Sequence, residues 1–406
     1  MEPTTFTLES INLDHNRVFR DAVHNYIYVE NQLIMDLIDT KEMQRLRRIK
    51  QLGGTYQVYQ SAEHSRFSHS LGVYKIVKTM CKDNCIGKNL NDYDKLTVQC
   101  AALLHDLGHG PFSHCFEDAF DVFHEDFTIR IIEEDSEVHQ ILESFHPGFS
   151  KVVSSVIKKE HPNKVLVQMT SSQLDADRMD YLLRDSYFTG TTYGQFDLQR
   201  ILRIMKVQDG RIVYKKSGVQ AIEDYILARY HMYWQVYYHP TARSYEQTLI
   251  STFRRIKDLY KEGYDLGDIF YLEPFLKGNI SSSQYVDLDE SVVLYYFKRF
   301  TVSDDKILKD LANRFLNRKL FAYDDAKKEE SIRLQCINQG YDPRYYVVSD
   351  KQSQEPYRYY GSEHAISEIE IIVENGTIAL PEVSEIVGAI TNSKKNKEDN
   401  KVFYPK

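Results

Sequence analysis

The chain has 406 residues, 42% of them hydrophobic, which is enough for roughly two to three folding units with sizeable cores. Its formal net charge of −8 provides no general basic field, which disfavours nucleic acid as the main ligand. Five cysteines without CxxC spacing indicate reduced thiols in a cytoplasmic protein. The first twenty residues contain no apolar leader and no run is long enough to cross a membrane, so we expect no membrane association.

The first predicted helix begins near Asp39, whose side chain is a candidate cap with Glu42 three residues later. Gly53 and Gly54 end the pattern. A helix of about fourteen residues is therefore expected, with one apolar face formed by Met43, Leu46 and Ile49.

Three later helices each turn a potential metal ligand inward. From Ser65 onward, His69 lies on the apolar stripe of Val73, Ile76 and Met80. In the stretch from residue 96 to 107, His105 shares a line with Val98 and Ala101. Between residues 172 and 188, Asp177 shares a face with Leu174 and Tyr181. A buried carboxylate needs a cation, so these faces indicate a polar site.

The remaining elements are predicted from turns and changes in composition. Asp209-Gly210 and Asn375-Gly376 are hairpin signals, and helices are expected from 217 to 238 and from 243 to 261. The expected domains are a core with an N-terminal ligand-binding segment over 1–270, a helical connection over 271–329, a small α+β domain over 330–392, and a disordered tail over 393–406.

The segment HDLGHGPFSH carries the strongest chemical signal. His105 and Asp106 end an apolar helix, and inward-facing His69 and Asp177 supply two further ligands. Two imidazoles and two carboxylates suit a divalent Mn, Fe, Ni, Zn or Mg ion. The alternative is a set of hydrogen-bonded core histidines with a capping aspartate.

These motifs resemble those of the HD-domain phosphohydrolases, and among them the deoxynucleoside triphosphate (dNTP) triphosphohydrolases. The similarity covers roughly residues 15 to 260, through RVFRDAVHNYI, LIDTKEMQRLRRIKQLGG, EHSRFSHSLGVY, HDLGHGPFSH, DADRMDYLLRDS and ARYHMYWQVYYHP. It implies a mostly α fold, an HD-domain helical core with a small β-hairpin and a smaller C-terminal α+β domain. It also implies hydrolysis of a dNTP to a deoxynucleoside and inorganic triphosphate, and the metal ligands His69, His105, Asp106 and Asp177.

The resemblance also implies roles for the surrounding residues. The protonation cluster comprises His109, His114, Glu117 and His124, although His124 could be a simple helix-cap histidine. Glu117 replaces an Asp of the metazoan relatives, Arg178 a Lys and Tyr233 a His. The implied substrate-binding residues are Gln51, Leu52, Arg66, Arg178, Tyr181, Asp185, Arg229, Tyr233, Tyr237 and His239. The alternatives are that the tyrosines form a stripe in the core and that Arg178 pairs with a surface acid.

A regulatory site is implied by the same family. Asp39, Gln44 and Arg47 occupy positions that bind an activating guanine nucleotide, with Arg17 and Val18 from a neighbouring chain. Such a shared site requires a homo-oligomer, expected to be a tetramer. The alternative is a helix cap and solvated arginines. For the whole protein, another HD phosphohydrolase activity or a nucleotide sensor with weak catalysis is the competing function.

Overall fold

The structure is a computed structural model that describes residues 6–353, 368–392 and 398–406. Helices contain most of these residues, and the sheets are small, which confirms the mostly α fold class. The first part of the chain contains β1 (Asn12–Asp21), β2 (Asn25–Asn31), α1 (Gln32–Asp39), α2 (Lys41–Arg45), α3 (Arg66–Met80), α4 (Asp92–Leu104), α5 (His114–Phe120), α6 (His124–Glu133), α7 (Glu137–Phe145), α8 (Phe149–Ile157), α9 (Lys164–Thr170), α10 (Ala176–Thr189), α11 (Leu198–Ile204), β3 (Met205–Gln208), β4 (Arg211–Lys215), α12 (Val219–Met232) and α13 (Pro240–Lys261).

The second part alternates short helices and strands. It contains α14 (Glu273–Lys277), α15 (Ser282–Val286), α16 (Glu290–Phe300), α17 (Lys306–Leu316), β5 (Ala322–Asp325), α18 (Glu329–Asn338), α19 (Pro343–Tyr346), β6 (Val348–Ser353), β7 (Glu370–Val373), β8 (Gly376–Ala379), α20 (Leu380–Val383), α21 (Glu385–Asn392) and β9 (Glu398–Tyr404).

The helix expected from Asp39 is shorter and begins differently. Asp39 is the last residue of α1, and the hydroxyl of Thr40 instead accepts a hydrogen bond from Met43 N to cap α2. After Arg45 the chain tightens into a 3₁₀ turn over Leu46–Arg48. The apolar face is nevertheless buried as expected, since Met43, Leu46 and Ile49 are inaccessible to solvent.

The helices that carry the predicted ligands agree well with the apolar pattern. α3 packs against both α4 and α10, and its stripe from His69 to Met80 is buried. The expected helix ending at Tyr238 instead changes to a π-helical turn at Tyr233–Tyr237. Pro240 then lies in the first turn of α13, where its missing N–H leaves no hydrogen bond unmade.

Both hairpin predictions are confirmed, but the hairpins join one sheet. Asp209 and Gly210 have positive φ, as a type I′ turn between β3 and β4 requires. β7 and β8 pair around the second turn, and β7 lies parallel to β4 in a four-stranded sheet ordered β3-β4-β7-β8. Residues 370–379 therefore extend the sheet of the core hairpin, across the domain boundary expected at 330.

The expected disorder of the tail does not hold for residues 398–404. They form β9, the central strand between β5 and β6, and residues 393–397 lie outside the described part of the chain. Two observations explain the order: Val402 and Phe403 are buried, and Arg243 of α13 donates to Asp399 at 2.6 Å and to Asp350 at 2.7 Å.

Candidate metal centre and active site

Four predicted ligands converge where α3, the end of α4 and the start of α10 meet. His69 Nε2 lies 3.0 Å from Asp177 Oδ1 and 3.7 Å from Asp106 Oδ2. His105 Nε2 lies 3.3 Å from Asp106 Oδ1 and 3.7 Å from Asp177 Oδ1. Helix geometry explains the convergence, because α3 and α10 contribute inward faces and His105 is the C-cap of α4. All four side chains therefore border one small space.

The hydrogen bonds of the two imidazoles show that this space fits a cation. His105 Nδ1 donates to the carbonyl of Ala102 at 2.9 Å, so its Nε2 carries a lone pair. That Nε2 is buried and has no hydrogen-bond partner. His69 Nδ1 donates to Asp180 Oδ2 at 2.8 Å, which likewise directs its Nε2 toward the carboxylates. With a metal in place of the proton on His69 Nε2, two imidazole nitrogens facing two carboxylates match the ligand chemistry of a divalent transition metal.

Electrostatics at His69 favour positive charge in the same place. Burial lowers the pKa of His69, but hydrogen bonds to Asp177 and Asp180 outweigh burial and raise that pKa to about 10. The pKa of Asp177 is lowered: burial alone raises it, and the hydrogen bonds to His105 and His69 outweigh that effect. A bound divalent ion would supply the charge that these carboxylates attract.

A buried ionic network supports His69 from behind, and sequence reasoning missed it. Asp180 Oδ1 lies 2.6 Å from His24 Nε2, and both oxygens accept from Arg184, at 2.8 and 3.0 Å. Arg184 also donates to Asp21 at 2.8 Å. The turn between β1 and β2 is thereby tied to His69, a candidate metal ligand. The available signal was the i+4 spacing of Asp180 and Arg184 within DADRMDYLLRDS.

Gly72 on α3 makes this network possible by close approach. A Cβ at this position would lie 1.9 Å from Asp180 Oδ1 and 2.5 Å from Arg184 Nη2. No side chain fits at such distances, so glycine is required for Asp180 to reach His69.

The predicted protonation cluster also comes together, around Glu117. Glu117 Oε1 accepts from His124 Nδ1 at 2.8 Å, and Oε2 lies 3.3 Å from His114 Nδ1. His109 stacks on His124 with ring centroids 3.9 Å apart, and its Nδ1 lies 3.4 Å from Glu117 Oε1. His109 Nε2 in turn lies 3.4 Å from Asp106 Oδ1, so the cluster adjoins the metal ligands.

The residues of the protonation cluster differ in solvent exposure and in pKa, and these differences fit different roles. Burial, reinforced by the nearby Arg66 charge, lowers the pKa of His109 to about 3, which keeps this ring neutral. The side chain of His114 is 71% exposed. Burial raises the pKa of Glu117, but hydrogen bonds from the three histidines outweigh it, so this carboxylate stays ionised. An ionised carboxylate beside an exposed imidazole is suited to proton transfer.

The turn that carries the cluster is strained at two residues that sequence reasoning did not identify. Phe112 and Ser113 have φ of 61° and 55°, in the left-handed region that non-glycine residues rarely adopt. Glu290 of α16 accepts from Phe112 N at 3.2 Å, and Arg66 donates to Ser113 Oγ at 2.8 and 3.0 Å. These contacts hold the backbone that places His114 at the start of α5.

The two arginines predicted to grip phosphate already have protein partners. Arg66 is 4% exposed, and its Nη1 donates to the candidate ligand Asp106 at 2.6 Å. Arg178 donates to Asp175 at 2.6 Å and to the carbonyl of Ser172. Asp175 is itself buried, so the partner of Arg178 is not a surface acid. Phosphate contact by either arginine stays a prediction.

The predicted sugar residues lie around Asp185. Tyr237 donates to Asp185 Oδ2 at 2.8 Å, and His64, which sequence reasoning missed, lies 2.7 Å from Oδ1. Gln51 Oε1 is buried without a hydrogen-bond partner, as is Arg229 Nε. These free polar atoms are available to a ligand. The rings of Tyr181 and Tyr233 lie beside Tyr237, with centroids 6.2 and 5.0 Å from its ring. His239 lies 6.1 Å from Tyr59, and Leu52 is half-buried; neither is shown in contact with Asp185 or Tyr237.

Two of the predicted regulatory residues, Gln44 and Arg47, are hydrogen-bonded neighbours. Arg47 donates to Gln44 Oε1 at 2.9 Å and lies 3.6 Å from the Phe67 ring centroid. Asp39 is exposed at the edge of a cavity of about 710 Å³ between α1 and α7. Arg17 and Val18 are exposed on β1.

Comparison with known proteins identifies the family. Residues 66–185 match the HD domain, and residues 196–265 match the HD associated region. The chain is 48% identical to YwfO of Bacillus subtilis, over 97% of this chain and 93% of that protein. The fold matches a phosphohydrolase from Bacteroides thetaiotaomicron, with a TM-score of 0.86, 30% identity and coverage of 97% and 100% of the two chains. The chain belongs to the HD-domain phosphohydrolases.

Matches to named triphosphohydrolases are more distant. The deoxynucleoside triphosphate triphosphohydrolase SAMHD1 homolog of Dictyostelium discoideum is 30% identical, over 74% of this chain and 59% of that protein. The Danio rerio SAMHD1 protein is 29% identical, over 71% and 53%. This HD phosphohydrolase therefore aligns with little more than half the length of those two relatives. Among its described residues, no helix combines the length and apolar character needed to span a bilayer.

Proposed function

We propose that this HD phosphohydrolase hydrolyses dNTPs to a deoxynucleoside and inorganic triphosphate. The observation that carries the proposal is the position of Asp106, which borders His69 and His105 on one side and His109 on the other. A phosphorus atom beside Asp106 would therefore adjoin both a cation site and a proton-transfer cluster. Those are the two requirements for breaking a bond between phosphorus and an alkoxide.

The division of labour follows from the side chains. His69, His105, Asp106 and Asp177 would hold the divalent metal, which polarises phosphoryl oxygens when bound. Neutral His109 is placed to accept or donate a hydrogen bond near the α-phosphate. Glu117 orients His114 and His124, one of which delivers a proton to the departing 5′ oxygen.

The sugar end supports a deoxynucleotide substrate. The hydroxyl of Tyr237 is held by Asp185, which fixes the ring as a wall. In the proposal this wall packs against C2′ and leaves no room for a ribose hydroxyl, while Gln51 and Asp185 bond the 3′ hydroxyl. Tyr181, Arg229 and the arginines Arg66 and Arg178 contact the phosphates.

Product analysis tests the activity directly. The metal-loaded protein is incubated with each dNTP, and the products are separated by anion-exchange chromatography. Deoxynucleoside and triphosphate in equal amounts support the proposal, with Asp177→Ala as the inactive control. Release of orthophosphate or pyrophosphate, or turnover of guanosine polyphosphates or cyclic dinucleotides with inert dNTPs, would favour another HD phosphohydrolase activity. Binding without turnover would indicate a sensor.

We further propose activation by a guanine nucleotide between subunits of a homotetramer. The exposed carboxylate of Asp39 suits the N1 and N2 protons of guanine, and Arg47 suits the base edge. Hydrolysis of dATP with and without GTP, in the parent and in Asp39→Ala, tests the site. Light scattering at each condition measures the oligomer. Activation should be present in the parent and lost in the variant, and equal activation in both would remove Asp39 from the site.

A further inference from the structure

A second polar cavity lies between β2, α3 and α4, and it shares no residue with the metal centre, the protonation cluster or the proposed activator site. Its volume is about 270 Å³. Four lysines and a single carboxylate, Glu30, are among its lining residues; the lysines are Lys75, Lys78, Lys82 and Lys95. In a protein of net charge −8, this concentration of positive charge is local and unusual.

The lysines are only partly neutralised by the protein. Lys78 pairs with Glu30 at 2.9 Å, and Lys95 lies 3.8 Å from Asp83 and 3.7 Å from Asp92. Within the described part of the chain, Lys75 and Lys82 have no ion pair. Burial, together with the neighbouring lysines, lowers the pKa of Lys75 and of Lys78. Like charges are therefore held together without enough counter-charge.

An unpartnered donor in the same cavity is a second, independent sign of a ligand. Asn31 is 6% exposed and lines the cavity. Its Oδ1 accepts from Ile34 N and caps α1, whereas its Nδ2 has no hydrogen-bond partner. A buried N–H₂ group without an acceptor destabilises the folded protein, and an acceptor oxygen from a ligand would relieve that cost.

We propose that this cavity binds an oligophosphate group. Several ammonium groups around one space suit an anion of more than one charge, and phosphoryl oxygens can accept from ammonium and amide donors together. The volume is below the roughly 300 Å³ at which pockets for drug-sized ligands begin. The oligophosphate is therefore either free inorganic pyrophosphate or triphosphate, or the phosphate chain of a nucleotide whose base stays outside.

Binding there would connect three elements. Asn31 belongs to β2, Lys75 to α3 and Lys95 to α4, and Lys82 follows the end of α3. Because β2 is half of the hairpin that reaches Asp180 through His24, an oligophosphate in this cavity holds the hairpin against the helices. The predicted consequence is stabilisation of the folded protein by ligand.

Calorimetric titration of the metal-loaded protein with inorganic pyrophosphate tests the site. Phosphates also bind at the active site, so we expect two binding events in the parent. The double variant Lys75→Gln/Lys82→Gln should lose one event, or weaken it by about tenfold or more, and Asp177→Ala should lose only the other. Lys88→Gln, an exposed lysine outside the cavity, is the matched control and should keep both.

Asn31→Asp gives a sharper variant, because aspartate still caps α1 while replacing the free donor with a negative charge. It should lose the same event as the double lysine variant. Titration with dATP in place of pyrophosphate distinguishes the two sources of the oligophosphate. A cavity for a free inorganic anion should bind pyrophosphate but not dATP, whereas a cavity for the phosphate chain of a nucleotide should also bind dATP. Potassium chloride at matched ionic strength should give no event. Binding that both cavity variants leave within about twofold of the parent would overturn the proposal.

Discussion

His69 and His109 are both buried and both face Asp106, yet their environments favour opposite charge states. Hydrogen bonds to two carboxylates, at 2.8 and 3.0 Å, outweigh the burial that lowers the pKa of His69 and raise it to about 10. His109 lies 3.4 Å from the carboxylates of Asp106 and Glu117. Burial, together with the nearby positive charge of Arg66, therefore lowers the pKa of His109 to about 3. Burial alone therefore does not determine the charge state of these two histidines. The environment therefore favours positive charge on the His69 side of Asp106 and a neutral imidazole on the His109 side.

The largest expected effect comes from removing the carboxylate beside His69. Asp177→Ala should weaken metal binding and reduce turnover by roughly a thousandfold or more, because it removes one of the four proposed ligands and one of the two carboxylate charges that balance the ion. His105→Ala should behave alike. Elemental analysis of the purified variants measures the bound metal, and Asp185→Asn, at the sugar end, should keep it. Stoichiometric metal with near-normal turnover in Asp177→Ala would remove this residue from the centre.

Adding a methyl group at Gly72 of α3 should weaken metal binding, although Gly72 is not itself one of the proposed ligands. Gly72→Ala places a Cβ against Asp180 and displaces the carboxylate that orients His69. We expect metal affinity to fall by about 10- to 100-fold. Ser70→Ala is the matched control, since Ser70 is buried on the same helix and its hydroxyl has no hydrogen-bond partner. Equal metal affinity in both variants would separate Asp180 from the function of His69.

Substitutions of Tyr237 test whether its ring excludes a ribose hydroxyl at C2′. Tyr237→Ala should open space at C2′ and narrow the preference for dGTP over GTP by about tenfold or more, since the clash it removes costs a few kcal/mol. Tyr237→Phe keeps the ring but loses the hydrogen bond to Asp185. It should preserve the preference and mainly raise KM. Comparison of kcat/KM for the two nucleotides decides, and an unchanged ratio in Tyr237→Ala would place the discrimination elsewhere.

The smallest effect concerns a buried carboxylate whose hydrogen-bond partners are backbone amides. Burial raises the pKa of Glu290 to about 7, whereas its unfolded value is 4.5, so the folded state binds the extra proton. Stability should fall as pH rises from about 4.5 to about 7. Glu290→Gln keeps an acceptor for Lys50 N and Phe112 N and removes this slope. Urea unfolding at pH 5 and pH 8 should show a gain of about 1 kcal/mol or more for the variant at pH 8 only.

Much of the fold and part of the candidate site follow from local patterns. Apolar periodicity predicts the helices that bring His69, His105 and Asp177 inward, because a 3.6-residue repeat fixes which residues share a face. Turn chemistry predicts the hairpin at Asp209-Gly210 for a similar reason. These features depend on residues close together in sequence.

The features that sequence reasoning missed depend on distant residues. His24 and Asp180 are 156 residues apart, and no spacing rule connects them. The left-handed φ of Phe112 and Ser113 is imposed by Glu290 and Arg66, which lie elsewhere in the chain. β9 has a charged composition typical of a disordered tail, and it is ordered because Arg243 and the strands β5 and β6 surround it.

The most direct test of the proposed chemistry is hydrolysis of a dNTP in oxygen-18 water. Water that attacks the α-phosphorus and displaces the 5′ oxygen leaves its oxygen on phosphorus. Mass spectrometry should therefore find one oxygen-18 atom in the triphosphate and none in the deoxynucleoside, with no label incorporated by Asp177→Ala. Label in orthophosphate or pyrophosphate, or in the deoxynucleoside, would contradict attack at the α-phosphorus beside Asp106.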